Sequence, residues 1–499
     1  MAITVLPQRD ELKVTEGRLF IDGSWVDGNG DGWTHINPAT NEEITRLQTA
    51  SPEDVDKAVR AARRAFDDGP WPTMKARDRK AILQRLVGLM YEHADELNRL
   101  QSLDNGLPIA FSSMYQVSSE FAADIFDHHA GWIDKLTGET YPPYAGNDMQ
   151  VISVREPVGV VAGIIPWNAP TFLFAQKVAP ALAAGCTIVV KPSEYASLGA
   201  LRLAELIEQI GLPTGVFNIV TGTGPVTGEA LITHPGVDKV TFTGSRAVGE
   251  HILEMSGKGV KRVALELGGK SASLNFADAP SVDMAAMTAM GMVSFGLSGQ
   301  GCVCQTRALV ERSIYDEFIT KASSMAEMIA FGDPFQPETT SGPIINERQL
   351  AKVMGYIEKG QEQGARLVVG GDRPGGDLAG GNWVNPTLFA DVDNQMTIAR
   401  EEIFGPVLSV IPFSDEDEAV RIANDSPYGL GAGVYTSNVS RALRLARRLR
   451  TGTVGINDYS VMPNIPFGGY KASGIGREGA RVGIEGFTEV KTIMIGLGE

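Results

Sequence analysis

The sequence predicts an α/β protein: a doubly wound, mostly parallel sheet followed by a second α/β unit. Two observations carry this. From residue 158 onward, short apolar runs ending in turn residues alternate with helical segments, the pattern of buried parallel strands joined by crossover helices. The chain is also 499 residues long, whereas single hydrophobic cores stop growing at about 250–300 residues.

The elements follow in order. Within residues 53–105, "VDKAVRAARRAF" and "ILQRLVGLMYEHADELNRLQSLD" place apolar residues at helical spacing and predict amphipathic helices. The runs "VGVVAGIIP" (158–166), "TIVVKP" (187–192), "VFNIVTG" (216–222) and "KVTFTGS" (239–245) predict buried strands, separated by helical "FAQKVAPALAAG" and "LGALRLAELIEQIG". Strands resume at "RVALELGG" (262–269) and later at "VLSVIPF" and "GAGVYT", with helical "DEAVRIANDS" between them, and these read as the second α/β unit. The stretches "GDRPGGDLAGG" (371–381) and "GGYKASGIGREGA" (468–480) read as glycine-rich loops of that second half.

A formal net charge of −16 argues against binding to DNA, RNA or an anionic membrane, all of which want a basic face. The first residues, "MAITVLPQRDELKVTEG", lack the charged-then-apolar layout of a signal peptide. No apolar run approaches the ~18 residues of a membrane span. Three cysteines, Cys186, Cys302 and Cys304, are too few and odd in number for a disulfide framework. A cytoplasmic protein is expected.

A doubly wound sheet binds ligands at the carboxyl ends of its strands. The residues there are Trp167 and Asn168; Lys191 and Glu194; Gly222, Gly224 and Gly228; and Thr243, Gly244 and Ser245. "GTGPVTG" is one residue longer than the usual dinucleotide fingerprint and is equally a plain glycine loop. Lys191 adds weight because it can reach a phosphate or ribose. Glu194 can accept from ribose hydroxyls and should repel a 2′-phosphate, which favours NAD over NADP.

The stretch "SGQGCVCQTR" (298–307) sets two thiols one residue apart. A zinc site would need two further ligands. No second Cys-x-Cys or His-x-His pair exists, and His35, His93, His128, His129, His234 and His251 lie upstream and isolated, so no metal is expected. Residues i and i+2 do not bridge easily as a disulfide. Inert buried thiols and a nucleophile remain. Gly296, Gly299 and Gly301 open the backbone for close approach of a ligand and favour the second. A nucleophilic cysteine needs a base. Glu266, in "ALELGGK", is either a strand-end charge facing solvent or a buried carboxylate whose raised pKa suits it to accept a proton near neutral pH.

"PWNAP" (166–170), "KPSE" (191–194), "FTGS" (242–245), "ELGGK" (266–270), "GQGC" (299–302), "EEIFGP" (401–406) and "PFGGYKASGIGRE" (466–478) occur in order and together resemble the aldehyde dehydrogenase superfamily, in its non-acylating, NAD(P)-dependent branch. The resemblance runs from roughly residue 18 to the end. It implies a Rossmann-like cofactor domain (1–138 plus 154–262), an α/β catalytic domain (263–475) and a small β oligomerisation arm (139–153 plus 476–499). In the arm, a hairpin ("GETYPPYAGNDMQVI") and a tail strand at 486–496 would pair between subunits of a homo-oligomer, a dimer or tetramer.

The same resemblance implies the chemistry. The Cys302 thiolate attacks the aldehyde, the Asn168 amide and the Cys302 backbone N–H hold the oxyanion, and hydride passes to the nicotinamide. Glu266 then activates the water that hydrolyses the thioester, with Lys177 and Glu478 in a proton path behind it. Trp167, Lys191, Ser193 and Glu194 would line the adenosine ribose, Gly224 and Gly228 the adenine, Ser245 the pyrophosphate, and Glu402 with Phe404 the nicotinamide ribose and ring. Ile164, Pro166, Thr243, Gly244 and Leu267 complete the cofactor site, which takes NAD and, because "KPSE" resembles members of both preferences, is compatible with NADP.

Ala169, Leu173, Val303, Val461 and Phe467 would line the substrate pocket. Ala169, Gln176 and Val461 stand where the family often carries aromatic rings, so a wide mouth and a medium or bulky apolar aldehyde, aromatic or terpenoid-like, are expected. Leu297 replaces the family's common Asn, which puts the support of the cysteine loop in question. Semialdehydes would want pocket arginines and betaine aldehyde an aromatic cage. An acylating member would lack Glu266, and a phosphorylating one would pair its cysteine with a histidine. A catalytically silent dinucleotide-binding protein would have no need of Cys302, Glu266 and Asn168 together.

Overall fold

The computed structural model of the chain describes residue 12 and residues 17–146 and 148–497. Residues 1–11 and 13–16, where the signal-peptide reading falls, lie outside the described residues. So do Asn147 of the expected hairpin and residues 498–499 at the end of the expected oligomerisation arm.

The first sheet has eight strands. Its parallel centre runs Arg262–Glu266, Lys239–Thr243, Val160–Ile165, Thr187–Pro192, Phe217–Ile219. Strand Thr187–Pro192 is buried at all six positions, as expected where helices cover both faces of a sheet. Each fully buried aliphatic side chain such as Val189 contributes about 1.5–3 kcal/mol. Val160–Ile165, the earliest of these strands in sequence, has Thr187–Pro192 on one side and Lys239–Thr243 on the other. The strand order therefore reverses beside it, and the crevice above that switch point is where such sheets bind ligands.

Arg262–Glu266, read from sequence as the start of the second unit, belongs to this first sheet, pairing in register from Lys239↔Arg262 to Thr243↔Glu266. Gly474–Ile475, inside a run expected to be only a loop of the second half, closes the sheet's edge against Leu265 and Glu266. An apolar strand carries no mark of which sheet it joins; the backbone hydrogen bonds decide.

A second sheet of seven strands contains Ala272–Asn275, Arg307–Glu311, Val407–Phe413 and Gly431–Tyr435, all parallel to their neighbours. The cysteine loop lies between helix Val282–Ser294 and strand Arg307–Glu311, facing the carboxyl ends of the first sheet.

The tail strand Thr488–Gly496 pairs with Met149–Pro157 of the same chain, from Thr488↔Pro157 to Gly496↔Met149, and Thr140–Tyr141 completes the small sheet. The hairpin and tail expected to pair between subunits thus form one sheet within the chain. Within one chain they satisfy each other's backbone groups, and Thr488–Gly496 becomes the outer strand. Among the described residues, no helix is long and apolar enough to cross a membrane.

Candidate active site

A cleft of about 660 Å³ opens at the switch point. Its walls come from four strand ends: Ile164, Pro166 and Trp167; Lys191, Ser193 and Glu194; Gly224 and Gly228; Thr243 and Gly244. Lys191 is buried, its Nζ 2.9 Å from the Pro192 carbonyl and 3.4 Å from Glu194 Oε2. Burial lowers its pKa and Glu194 opposes that shift. The buried Thr243 Oγ1 has no hydrogen-bond partner, a polar atom left for a ligand. Val248, His251 and Ile252, on helix Arg246–Lys258, also line the cleft and were not foreseen.

Ser245 and Leu267 do not line this cleft. Ser245 is the N-cap residue of helix Arg246–Lys258, and Leu267 packs in the apolar cluster with Phe242 and Ile164. Glu402 and Phe404 do not line the cleft either, and Phe404 reaches it through Trp167. The Phe404 ring meets Trp167 edge-on at 5.4 Å between centroids, and Gln349 Nε2 donates to the carbonyls of Ile403 and Phe404, both at 2.9 Å. Glu402 Oε1 accepts the Gly269 N–H at 2.9 Å. Burial raises the Glu402 pKa, with the Gly269 N–H, Lys352 and Lys270 opposing.

The cysteine loop is held by its own polar side chains, which reach the neighbouring segments. Gln300, buried, donates through Nε2 to Leu297 O at 2.9 Å and Pro343 O at 3.0 Å, and its Oε1 accepts the Ile345 N–H at 3.0 Å. Leu297 therefore supports the loop through its backbone carbonyl, which any residue supplies. Gly299 has φ +70°, and a Cβ there would lie 2.1 Å from the Gly405 carbonyl. Its missing side chain thus serves the packing of "GQGC" against "EEIFGP", not the ligand approach expected from sequence. Asn168 Nδ2 donates to Gln300 O at 3.0 Å, which places this amide on the loop that carries Cys302.

Cys302 is half-buried. Burial pushes its thiol pKa far up, and the nearby carboxylates of Glu402 and Glu266, with Cys304, add to the shift. Cys304 is buried, donates to Met292 O at 3.1 Å, and is pushed up to about 12 chiefly by burial.

Glu266 is 3% exposed, and its Oε2 makes no hydrogen bond. Burial holds its pKa well above the ordinary carboxylate range; Glu478 adds repulsion, while Lys177 and Arg477 oppose it. The solvent-facing reading of Glu266 is excluded. Gly468, at φ +146°, makes room for it: a Cβ there would lie 2.6 Å from Glu266 Oε1. Lys177 and Glu478 form a buried ion pair, leaving Glu478 Oε2 unbonded.

Of the expected pocket residues, Ala169 and Leu173 share one apolar cluster, with Val461, Phe172 and Trp132 packed against it. Val303 lies beside Cys302 on the loop, outside that cluster, and Phe467 is tied to Glu478 by reciprocal backbone hydrogen bonds of 2.8 Å. Among the described residues, no group of His, Cys, Asp or Glu is arranged to hold a metal ion.

The model of the aldehyde dehydrogenase family matches residues 25–493. The chain is 42% identical over 494 residues to the mitochondrial benzaldehyde dehydrogenase of Antirrhinum majus, covering 98% of this chain and 91% of that one. The solved structure of the indole-3-acetaldehyde dehydrogenase AldA of P. syringae, a mutant in complex with NAD+ and IAA, is 40% identical with a TM-score of 0.94, covering 98% of each chain. The betaine aldehyde dehydrogenase of Staphylococcus aureus in complex with NAD+ is 37% identical with a TM-score of 0.95, covering 98% of this chain and 97% of that one.

Proposed function

The chain belongs to the aldehyde dehydrogenase family, and from that premise we propose which of its residues carry the family's reaction. The protein oxidises an aldehyde to a carboxylic acid with NAD(P)+ by a cysteine and glutamate mechanism, and NAD(H) is its cofactor. The switch-point cleft, the unpartnered Thr243 hydroxyl and the Lys191–Glu194 pair fit a dinucleotide. When bound, the nicotinamide accepts the aldehyde hydrogen as hydride.

Cys302 is the nucleophile. Its sulfur adds to the aldehyde carbon, forming a C–S bond, and the carbonyl oxygen becomes an oxyanion. Burial keeps the thiol protonated, so the proton leaves as the bond forms, and Glu266 is the base at hand. Asn168 has two amide hydrogens; one is committed to Gln300 O, and the other, with the Cys302 backbone N–H, holds the oxyanion. Loss of the C1 hydrogen leaves an acyl thioester on Cys302. Glu266 passes the thiol proton to the Lys177–Glu478 pair, then takes a proton from the water that attacks the thioester carbon and returns it to the departing Cys302 sulfur, releasing the acid and the thiol. The observation that carries this reading is the junction itself: the Asn168 amide is bonded to the loop of a half-buried cysteine, and the charge of the buried Glu266, whose Oε2 is unbonded, is close enough to act on that thiol.

The substrate is a medium or bulky apolar aldehyde. Ala169, Leu173, Val461 and Phe172 offer hydrocarbon surface, and the similar proteins from Antirrhinum majus and P. syringae act on benzaldehyde and indole-3-acetaldehyde by name. The domain division is that read from the sequence, 1–138 with 154–262, 263–475 and 139–153 with 476–499, with strands Arg262–Glu266 and Gly474–Ile475 moved to the cofactor unit and all of Met149–Pro157 to the small sheet. Thr488–Gly496 presents exposed Val490, Met494 and Ile495, and a second copy of the chain covers this edge in a cytoplasmic dimer or tetramer. A monomer in sedimentation velocity would exclude it.

The test is cofactor reduction by purified enzyme over aliphatic, aromatic, terpenoid, betaine and semialdehyde substrates, with NAD and NADP in parallel. Benzaldehyde-sized apolar aldehydes should give the highest kcat/KM; preference for acetaldehyde, betaine aldehyde or a carboxylate-bearing semialdehyde refutes the pocket reading. In the same assay Glu194→Gln, which removes the charge that repels a 2′-phosphate, should raise kcat/KM for NADP about tenfold, the effect of roughly 1.4 kcal/mol. An unchanged NADP/NAD ratio removes Glu194 from cofactor choice.

A further inference from the structure

We propose that Asn105, the last residue of helix Ala94–Asn105 and outside every motif considered above, is a positioning residue for the oxyanion site, acting through the backbone of Asn168. The inference rests on the oxyanion role assigned to Asn168.

Asn105 is 5% exposed, and both its amide hydrogens and its amide oxygen are engaged. Nδ2 donates to Trp167 O at 3.1 Å and to Asn168 O at 3.2 Å, and Oδ1 accepts the Leu107 N–H at 3.0 Å. The two carbonyls belong to the peptide units on either side of the Asn168 Cα. Fixing both planes fixes the backbone of Asn168 and so the direction of its Cα–Cβ bond. The Asn168 side chain is then fixed at its far end by Gln300 O at 3.0 Å. One amide thus aims another, and the second spans to the loop of Cys302.

The turn needs this outside hold. The N-cap of helix Pro170–Ala184 is Ala169, whose side chain supplies no capping hydrogen bond to tie this turn to the helix. The helix that presents Asn105 is itself anchored. Asp104, fully buried, accepts the Leu198 and Gly199 N–H groups at 3.2 and 3.1 Å and lies 2.7 Å from His35 Nε2. Only an amide serves at 105. Aspartate keeps the acceptor for Leu107 but points an oxygen at two carbonyls, and alanine leaves both carbonyls without their donor.

The experiment is a double-mutant cycle of Asn105→Ala and Asn168→Ala in the full enzyme, read as kcat/KM for the aldehyde and, separately, as the rate of Cys302 alkylation by iodoacetamide. Alkylation displaces iodide and develops no oxyanion, so it reports on the thiol and its loop alone. Asn105→Ala should lower kcat/KM roughly 10- to 100-fold, the cost of a misplacement near 1 Å, with alkylation rate and NAD affinity little changed. In the Asn168→Ala background its effect should largely vanish. Asn105→Asp, which preserves volume and the Leu107 bond, should be impaired at least as much as alanine. Additive costs, or alkylation slowing in parallel with catalysis, would overturn the inference while leaving the role of Asn168 standing. If Asn168→Ala is itself silent, the oxyanion assignment fails first and the inference with it.

Discussion

Replacing Cys302 by alanine lowers kcat/KM for aldehyde oxidation by at least ~10⁴-fold, the scale seen when a nucleophile is removed from a preorganised site. The reason is local. Cys304 cannot substitute, because its sulfur is buried in the core and bonded to Met292 O. Cys186 is remote, buried and bonded to Phe487 O. The variant should keep its fold and bind NAD normally, since the loop is held by Gln300, Gly299 and the Asn168 amide rather than by the thiol. Steady-state rates with the preferred aldehyde, alongside NAD titration, check both halves. Residual activity within tenfold of wild type would mean that Cys302 is not the nucleophile.

The second large effect is expected from Glu266→Gln, which removes the base but keeps the size. Loss of general-base catalysis costs roughly 10²–10⁴-fold, and it should fall on turnover rather than on NAD binding. The wild-type pH profile carries the same signature. Glu266 must be ionised to accept a proton, and burial and Glu478 raise its pKa. kcat should therefore fall as pH drops through a value above the ordinary carboxylate range of about 4.3, and the glutamine variant should lose that acid limb. An unchanged limb in the variant would assign the titration to another group.

Much of this site was legible before the fold was known. Cys302, Glu266, Asn168 and the ends of the first strands stand out because the chemistry demands unusual residue types in apolar or glycine-rich settings. What was not legible is what holds them. Asn105 ends a helix before a glycine, so its sequence signal reads only as a helix stop, and its bonds reach residues 62 and 63 positions away. Gln349, clamping the loop of Phe404 from 54 and 55 positions away, is one polar residue among several on an amphipathic helix. Sheet membership failed for the same reason: Arg262–Glu266 is an ordinary apolar strand, and only its pairing with Lys239–Thr243 places it. The glycines of the cysteine loop read as openings for a ligand, whereas Gly299 meets the Gly405 carbonyl. Local pattern reveals strained or chemically odd positions; it does not reveal hydrogen bonds between distant segments.

The central claim is a covalent acyl intermediate on Cys302 that Glu266 clears. The most direct measurement is peptide mass spectrometry of Glu266→Gln, quenched in acid after incubation with NAD+ and benzaldehyde. The peptide spanning Cys302 and Cys304 should carry one benzoyl group, localised by fragmentation to Cys302, and the adduct should be absent without NAD+. A full turnover rate with no acyl adduct, or an adduct on Cys304, would contradict it.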